Sequence, residues 1–333
     1  MPTSRSRRPP PRRRRRAGPL LVLLAAVVLV GGLVAVFQRG VGPLPDPEGC
    51  QARVEGVVVD LSTEQAENAT LISAIAVRRG MPARAASIAL ATAYQESKLR
   101  NLDHGDRDSV GLFQQRPSQG WGTAAQIQRP TYAINKFYDE LQKIDGYQQM
   151  RITEAAQKVQ RSGFPEAYAD HETDGRALAS ALTGYSEAGF SCVVDDHSAP
   201  AQKAGADGLT PRAETVRRQL KQAFGPLPLG GFASGGVSTG HMKGSAHYDG
   251  RAVDVFVRPV SEAHQRKGWT IASYLVARAS RLRIDHVIFD GRIWSAGARS
   301  GQGWRPYTPP SGAGDRAVLE HRDHVHVDVV AGG

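Results

Sequence analysis

The segment around His324-Val325-His326 restricts the fold more than any other, because Val325, Val327 and Val329 recur at every second position. A period of two is a β-strand pattern, and it sends both imidazoles to the same face. Upstream stands Ser245-Ala246-His247-Tyr248-Asp249-Gly250-Arg251-Ala252-Val253-Asp254. The two segments together supply imidazoles and a carboxylate, the donor types of a hydrolytic zinc centre. Such a centre takes three protein ligands and keeps a fourth position for water. His247, Asp254 and His326 would make that set.

The spacing Ser-x-His-x-x-Gly-x-Ala-x-Asp followed by His-x-His resembles the D-alanyl-D-alanine metallopeptidases and their lysostaphin and hedgehog-type relatives. Ser245, His247, Gly250, Ala252, Asp254, His324 and His326 occupy the specified positions. The resemblance implies Zn2+ held by His247, Asp254 and His326, with His324 assisting catalysis. It covers Pro211 to the C-terminus. Many of these peptidases carry a general-base Glu three residues before the last ligand, where this chain has Asp323, a side chain one methylene shorter. Glu320 is the other candidate. Some relatives bind metal without cleaving anything, which leaves a binding-only domain as an alternative.

A second site lies in the first half. From Pro82 to Leu99 the composition is Ala-rich and helix-forming, with Pro at the start where its missing N–H costs nothing. Glu96 falls in the last turns, where an apolar cleft would keep it protonated, as a general acid for glycosidic cleavage requires. Gln95-Glu96-Ser97, then Ser109-Val110-Gly111-Leu112-Phe113-Gln114-Gln115, resembles the lysozyme-like fold of soluble lytic transglycosylases and goose-type lysozymes. That resemblance spans Ser62 to Cys192. It implies Glu96 as acid/base, with Ser109, Gly111, Leu112, Phe113 and Gln114 shaping the sugar cleft. Asp103, Asp106 and Asp108 are candidates for a second carboxylate, and the sequence does not choose among them or against all three.

Arg5, Arg7, Arg8 and Arg12 to Arg16 precede an apolar run from Leu20 to Phe37, long enough to cross most of a bilayer core. Positive charge stays inside, so the remainder is expected outside the cytoplasm on a single-pass membrane anchor. These eight arginines carry most of the net charge of +10. The body is nearly neutral, which argues against a nucleic-acid partner. Two cysteines in such a compartment suggest a Cys50–Cys192 disulfide across the ends of the lysozyme-like region, the alternative being free or intermolecular thiols.

The expected fold class is multidomain: an N-terminal transmembrane helix, an all-α lysozyme-like domain and a C-terminal α+β zinc peptidase-like domain. The segments are a basic cytoplasmic tail (1–17), a transmembrane anchor (18–38), a Pro-rich spacer (39–61), the lysozyme-like domain (62–192), a linker (193–210) and the metallopeptidase-like domain (211–333). Helices are expected from a Ser62–Gln65 capping box to Gly80, over Thr131–Asp145, Thr153–Ser162, Arg176–Leu182 and Pro211–Phe224, and near Thr270–Ser280. Strands are expected at Val253–Val257, Val287–Phe289 and Val325–Val329. Trp294, Trp304 and Tyr307 are candidates for a substrate groove, with core packing as the competing role. Glycan and peptide chemistry share one polymer, so the expected function is peptidoglycan cleavage with peptidoglycan as partner. A non-catalytic wall-binding or scaffold protein is the alternative, and protein partners are unknown.

Overall fold

A computed structural model describes residues 48–164, 166–196, 198–309 and 314–332, all within one compact unit, Pro47–Gly333. The expected membrane-spanning segment, the basic tail and the first part of the spacer (39–47) lie outside the described residues. Among the described residues no helix is long and apolar enough to cross a membrane.

The chain begins with a hairpin, β1 (Gly49–Val54) and β2 (Val57–Leu61). Glu55 and Gly56 both adopt positive φ, 49° and 86°, the combination that matches a two-residue turn to the twist of its strands. Helix α1 (Thr63–Arg78) follows with the expected capping box: Ser62 Oγ accepts from the Gln65 amide, and Gln65 Oε1 accepts from the Ser62 amide. Helix α2 (Ala83–Ser97) ends where Lys98 turns left-handed at φ 54°. Next come α3 (Ala124–Ile127), α4 (Pro130–Gln142), α5 (Ile152–Gln160) and α6 (Glu172–Leu182), then β3 (Phe190–Val193).

Strand β3 returns to pair antiparallel with β1, giving the sheet order β2-β1-β3 and setting Cys50 opposite Cys192. The two form a disulfide. The fold class expected for this half is therefore corrected: it is mixed α/β and not all-α. The segment taken as spacer buries Ala52, Val59 and Leu61 against the helices, an alternation that Gly56 interrupts. The small side chains of α2 let α6 approach closely. A Cβ on Gly175 would lie 2.9 Å from Ser87 O and 3.0 Å from Ala91 Cβ.

The rest of the chain runs α7 (Pro211–Phe224), β4 (Leu229–Gly230), β5 (Ala252–Phe256), α8 (Glu262–Val276), α9 (Ala279–Leu282), β6 (Ile284–Phe289), β7 (Arg292–Ser295), β8 (Arg305–Pro306), α10 (Arg316–Leu319) and β9 (His324–Val329). Its antiparallel sheet has the order β4-β5-β9-β6-β7-β8, with β9 buried in the middle. Helix α8 starts well before Thr270 because Ser261 caps it through the His264 amide.

The two halves pack on each other. Arg278, fully buried, donates to Thr70 Oγ1 at 2.8 Å and to Glu67 O at 2.7 Å on α1, while Arg281 pairs with the Glu67 carboxylate at 2.9 Å. Trp294 and Trp304 belong to this junction, their indole N–H groups donating to Cys192 O and Phe190 O on β3. Neither lines the cleft around His247, Asp254 and His326. The segment read as a linker is tied down as well: Arg212 donates to Pro200 O, and Thr210 donates its amide to Gly250 O at 2.8 Å.

Candidate functional site

The register of β5 against β9 places Asp254 directly opposite His326. His324 and His326 share one face of β9, as the alternation requires. His247 arrives from a tight turn in which Gly250 donates its amide to His247 O and Arg251 donates to Ala246 O. Three atoms of these residues converge. Asp254 Oδ1 lies 3.0 Å from His326 Nδ1 and 3.2 Å from His247 Nε2, and the two nitrogens are 3.1 Å apart.

The spacing of that triangle suits a metal ion. Bonds of about 2.0–2.1 Å around a tetrahedral zinc put neighbouring donors roughly 3.3 Å apart. The residues fit, and all three are buried. Burial alone would raise the Asp254 pKa, yet hydrogen bonds to His247 and His326 hold it well below the usual carboxylate range. Burial alone would lower the pKa of His326, yet its bonds to Asp254 and Asp328 push it up to about 9. The cluster favours a positive charge at its centre even when that charge is only a proton.

The surrounding contacts orient each ring. Gly231 O sits 2.7 Å from His247 Nδ1, which leaves Nε2 for the centre. Gly231 has φ 78°, and a Cβ there would fall 2.2 Å from His247 Cε1. His324 Nδ1 is 2.6 Å from Asp323 Oδ1, and its Nε2 lies 4.0 Å from Asp254 Oδ1. Asp323 Oδ2 in turn accepts from Arg258 at 2.6 Å. Both Asp323 oxygens are thus engaged. Glu320 is held by Arg316 and, at 2.7 Å, by Arg322. The centre opens into a cleft of about 820 Å³ walled by Phe256, Ile288, Tyr307 and Leu319, with Arg251 and Arg258 also lining it.

Sequence reasoning missed His241, which stacks on His247 with ring centroids 4.0 Å apart and has a donor atom within 4.8 Å of those of His247 and Asp254. It also missed Gly231. No spacing flags either: His241 precedes the motif in a glycine-rich stretch, and Gly231 contributes only a carbonyl.

Glu96 lies on the last turn of α2. Ser97 Oγ donates to Leu112 O at 2.7 Å, joining this turn to the loop closed by the Val110–Gln115 bridge. Glu96 Oε1 accepts from Tyr168 Oη at 2.7 Å and from Gln160 Nε2 at 3.1 Å, and Gln160 also donates to Phe113 O at 2.8 Å. Burial raises the Glu96 pKa, against the two hydrogen bonds that lower it. Ser109 donates to Gln114 Oε1 at 2.9 Å, and Gly111 takes φ 80°. Leu112 and Phe113 differ from expectation: both side chains are fully buried, Phe113 stacking on Phe137 at 4.5 Å. Their backbone reaches the site and their side chains fill the core. Asp108 binds Arg116 and the Ser118 amide, Asp103 binds His104, and Asp106 points to Arg107. Tyr168 and Gln160, the partners of Glu96, come from parts of the chain that no motif marked.

Residues 205–317 match the family described as VldE, C-terminal domain. The match takes in His247 and Asp254 and ends before His324 and His326. It covers a minority of the chain and describes what that segment is similar to. No curated protein matches the chain.

Proposed function

We propose that this protein remodels peptidoglycan through two sites, a zinc-dependent amide-cleaving centre at His247, Asp254 and His326 and a glycan-cleaving carboxylic acid at Glu96. The observation that carries the reading is the triangle of donor atoms at 3.0–3.2 Å, buried at the floor of an open cleft. Zinc, when bound there, would polarise a carbonyl and lower the pKa of a bound water to about 7.

The chain's own residues supply the rest. Asp323 accepts the Nδ1 proton of His324, so His324 Nε2 carries the lone pair and can take a proton at the cleft floor. Asp323 acts through His324, since Arg258 occupies its other oxygen. At the first site, burial raises the Glu96 pKa and so favours the protonated form, which suits it to protonate a leaving glycosidic oxygen. The acids of the loop after Glu96 are engaged elsewhere, Asp108 by Arg116 and the Ser118 amide and Asp103 by His104, which favours a reaction with one carboxylate, in which a sugar hydroxyl attacks. The disulfide supports an extracytoplasmic, oxidising location.

One observation favours a second reading, a C-terminal half that binds wall peptide without cutting it: Asp323 and Glu320 are both committed to arginines. Mass spectrometry of fragments released from purified peptidoglycan by the full chain, with and without a zinc chelator, tests both readings. Chelator-sensitive loss of peptide cross-links is expected, together with chelator-resistant anhydro-sugar products. Glycan products without any peptide cleavage would leave the binding reading, and neither product would end the catalytic one.

A further inference from the structure

The two imidazoles of the metal triangle present different nitrogens to it, His247 through Nε2 and His326 through Nδ1. A neutral imidazole has one lone pair, and the partner of the other nitrogen decides where it lies. For His247 that partner is Gly231 O. For His326 it is Asp328, whose Oδ2 lies 3.2 Å from Nε2. Asp328 does not end the chain of contacts: its Oδ1 is 3.1 Å from His286 Nδ1, and Asp285 Oδ2 stands 3.6 Å from that same nitrogen.

We infer that Asp328 and His286 are positioning residues for the metal centre, a carboxylate–imidazole pair that holds the His326 proton on Nε2 and aims its Nδ1 lone pair at the cation. The inference rests on the metal reading given above. Sheet register builds the arrangement. Across β5–β9, Asp254 faces His326; across β9–β6, Asp328 faces His286. His326 and Asp328 are two residues apart on one strand, so both point to the same side. The metal triangle and its support are thus successive rungs of one three-strand ladder. Asp328 is itself buried, and among the described residues its ion pairs are with two imidazoles, so its charge is directed at those rings. His286 and Asp285 line the cleft at the outer end. A carboxylate on the far nitrogen makes the ligating imidazole a better donor, and losing such a partner typically weakens metal affinity by about 10–100-fold.

Titration of the full chain with Co2+, followed by its visible ligand-field bands, tests this. Asp328→Ala is expected to weaken Co2+ binding by about 10–100-fold and to shift the bands, with the melting temperature of the metal-free protein recorded alongside. Should Asp328→Ala fail to fold, the isosteric Asp328→Asn and the partly exposed His286→Ala decide. His286→Ala is expected to weaken binding less, and His286→Gln, whose amide can still donate to Asp328, to restore it. Asp328 and His286 variants with wild-type affinity and bands, while His247→Ala abolishes binding, would overturn the inference and leave the metal reading standing. A wild-type chain that binds no Co2+ would overturn both.

Discussion

The Tyr168 hydroxyl donates to Glu96 Oε1 across 2.7 Å, joining the last turn of α2 to a loop more than seventy positions later. Gln160 donates to the same oxygen. Both donors are neutral, so they orient the carboxyl without supplying a charge to ionise it, and Oε2 remains for the proton. Glu96→Gln should lower glycan release by about 10²–10⁴-fold, the usual contribution of a positioned general acid. Its melting temperature at neutral pH should equal or exceed that of the wild type, because burial disfavours ionisation of the carboxyl and a neutral isostere carries no such cost. Undiminished glycan release would remove Glu96 from the reaction.

The same burial gives a pH signature. The folded Glu96 pKa is raised, so between its unfolded and folded pKa values the native state holds a proton that the unfolded state has released. Stability therefore falls as pH rises through that window, and its slope is set by the proton difference. Urea unfolding at stepped pH from about 4 upward should show the wild type losing stability relative to Glu96→Gln. Parallel curves would mean that the carboxyl is not perturbed.

Gly231→Ala should disable the proposed metal centre without replacing any of its three proposed ligands. A Cβ would fall 2.2 Å from His247 Cε1 and 2.9 Å from Asp254 Oδ2, at a φ of 78° that alanine rarely adopts. Zinc content after dialysis is expected to fall well below one equivalent, along with a lower melting temperature. Full zinc retention would show that the loop can yield.

Arg278→Ala removes a buried guanidinium that bonds Thr70 and Glu67 O. Losing charge-assisted bonds and leaving a cavity should cost roughly 3 kcal/mol. Because the two halves share this junction, calorimetry of the wild type should give one cooperative transition, shifted down in the variant. Two separated transitions in the wild type would contradict that coupling.

Local chemistry was readable from the chain alone. The Ser62 capping box, the helix start after Pro82 and the strand alternation at His324–Val329 each depend on neighbours within a few positions, and each stands where expected. The grouping of His247, Asp254 and His326 was legible through the resemblance of their motifs to the metallopeptidases, whereas the adjacency of β5 and β9 is a product of the fold. Other features depended on distant partners. The hairpin of β1 and β2 looked like spacer because its third strand arrives only at Phe190, and Leu112 and Phe113 looked like cleft residues until Phe137 claimed the space.

The sequence by itself determined which side chains could bind metal or carry a proton, since donor type and period are properties of the residues and their immediate neighbours. Tertiary structure decided how each is tuned: Gly231 and Asp328 engage the far nitrogens of His247 and His326 and leave the others facing Asp254, Arg258 takes the free oxygen of Asp323, and Tyr168 with Gln160 orients Glu96. Those partners are set by how strands register and helices pack, and a hydrogen bond between residues far apart in the chain leaves no periodicity for a sequence to display.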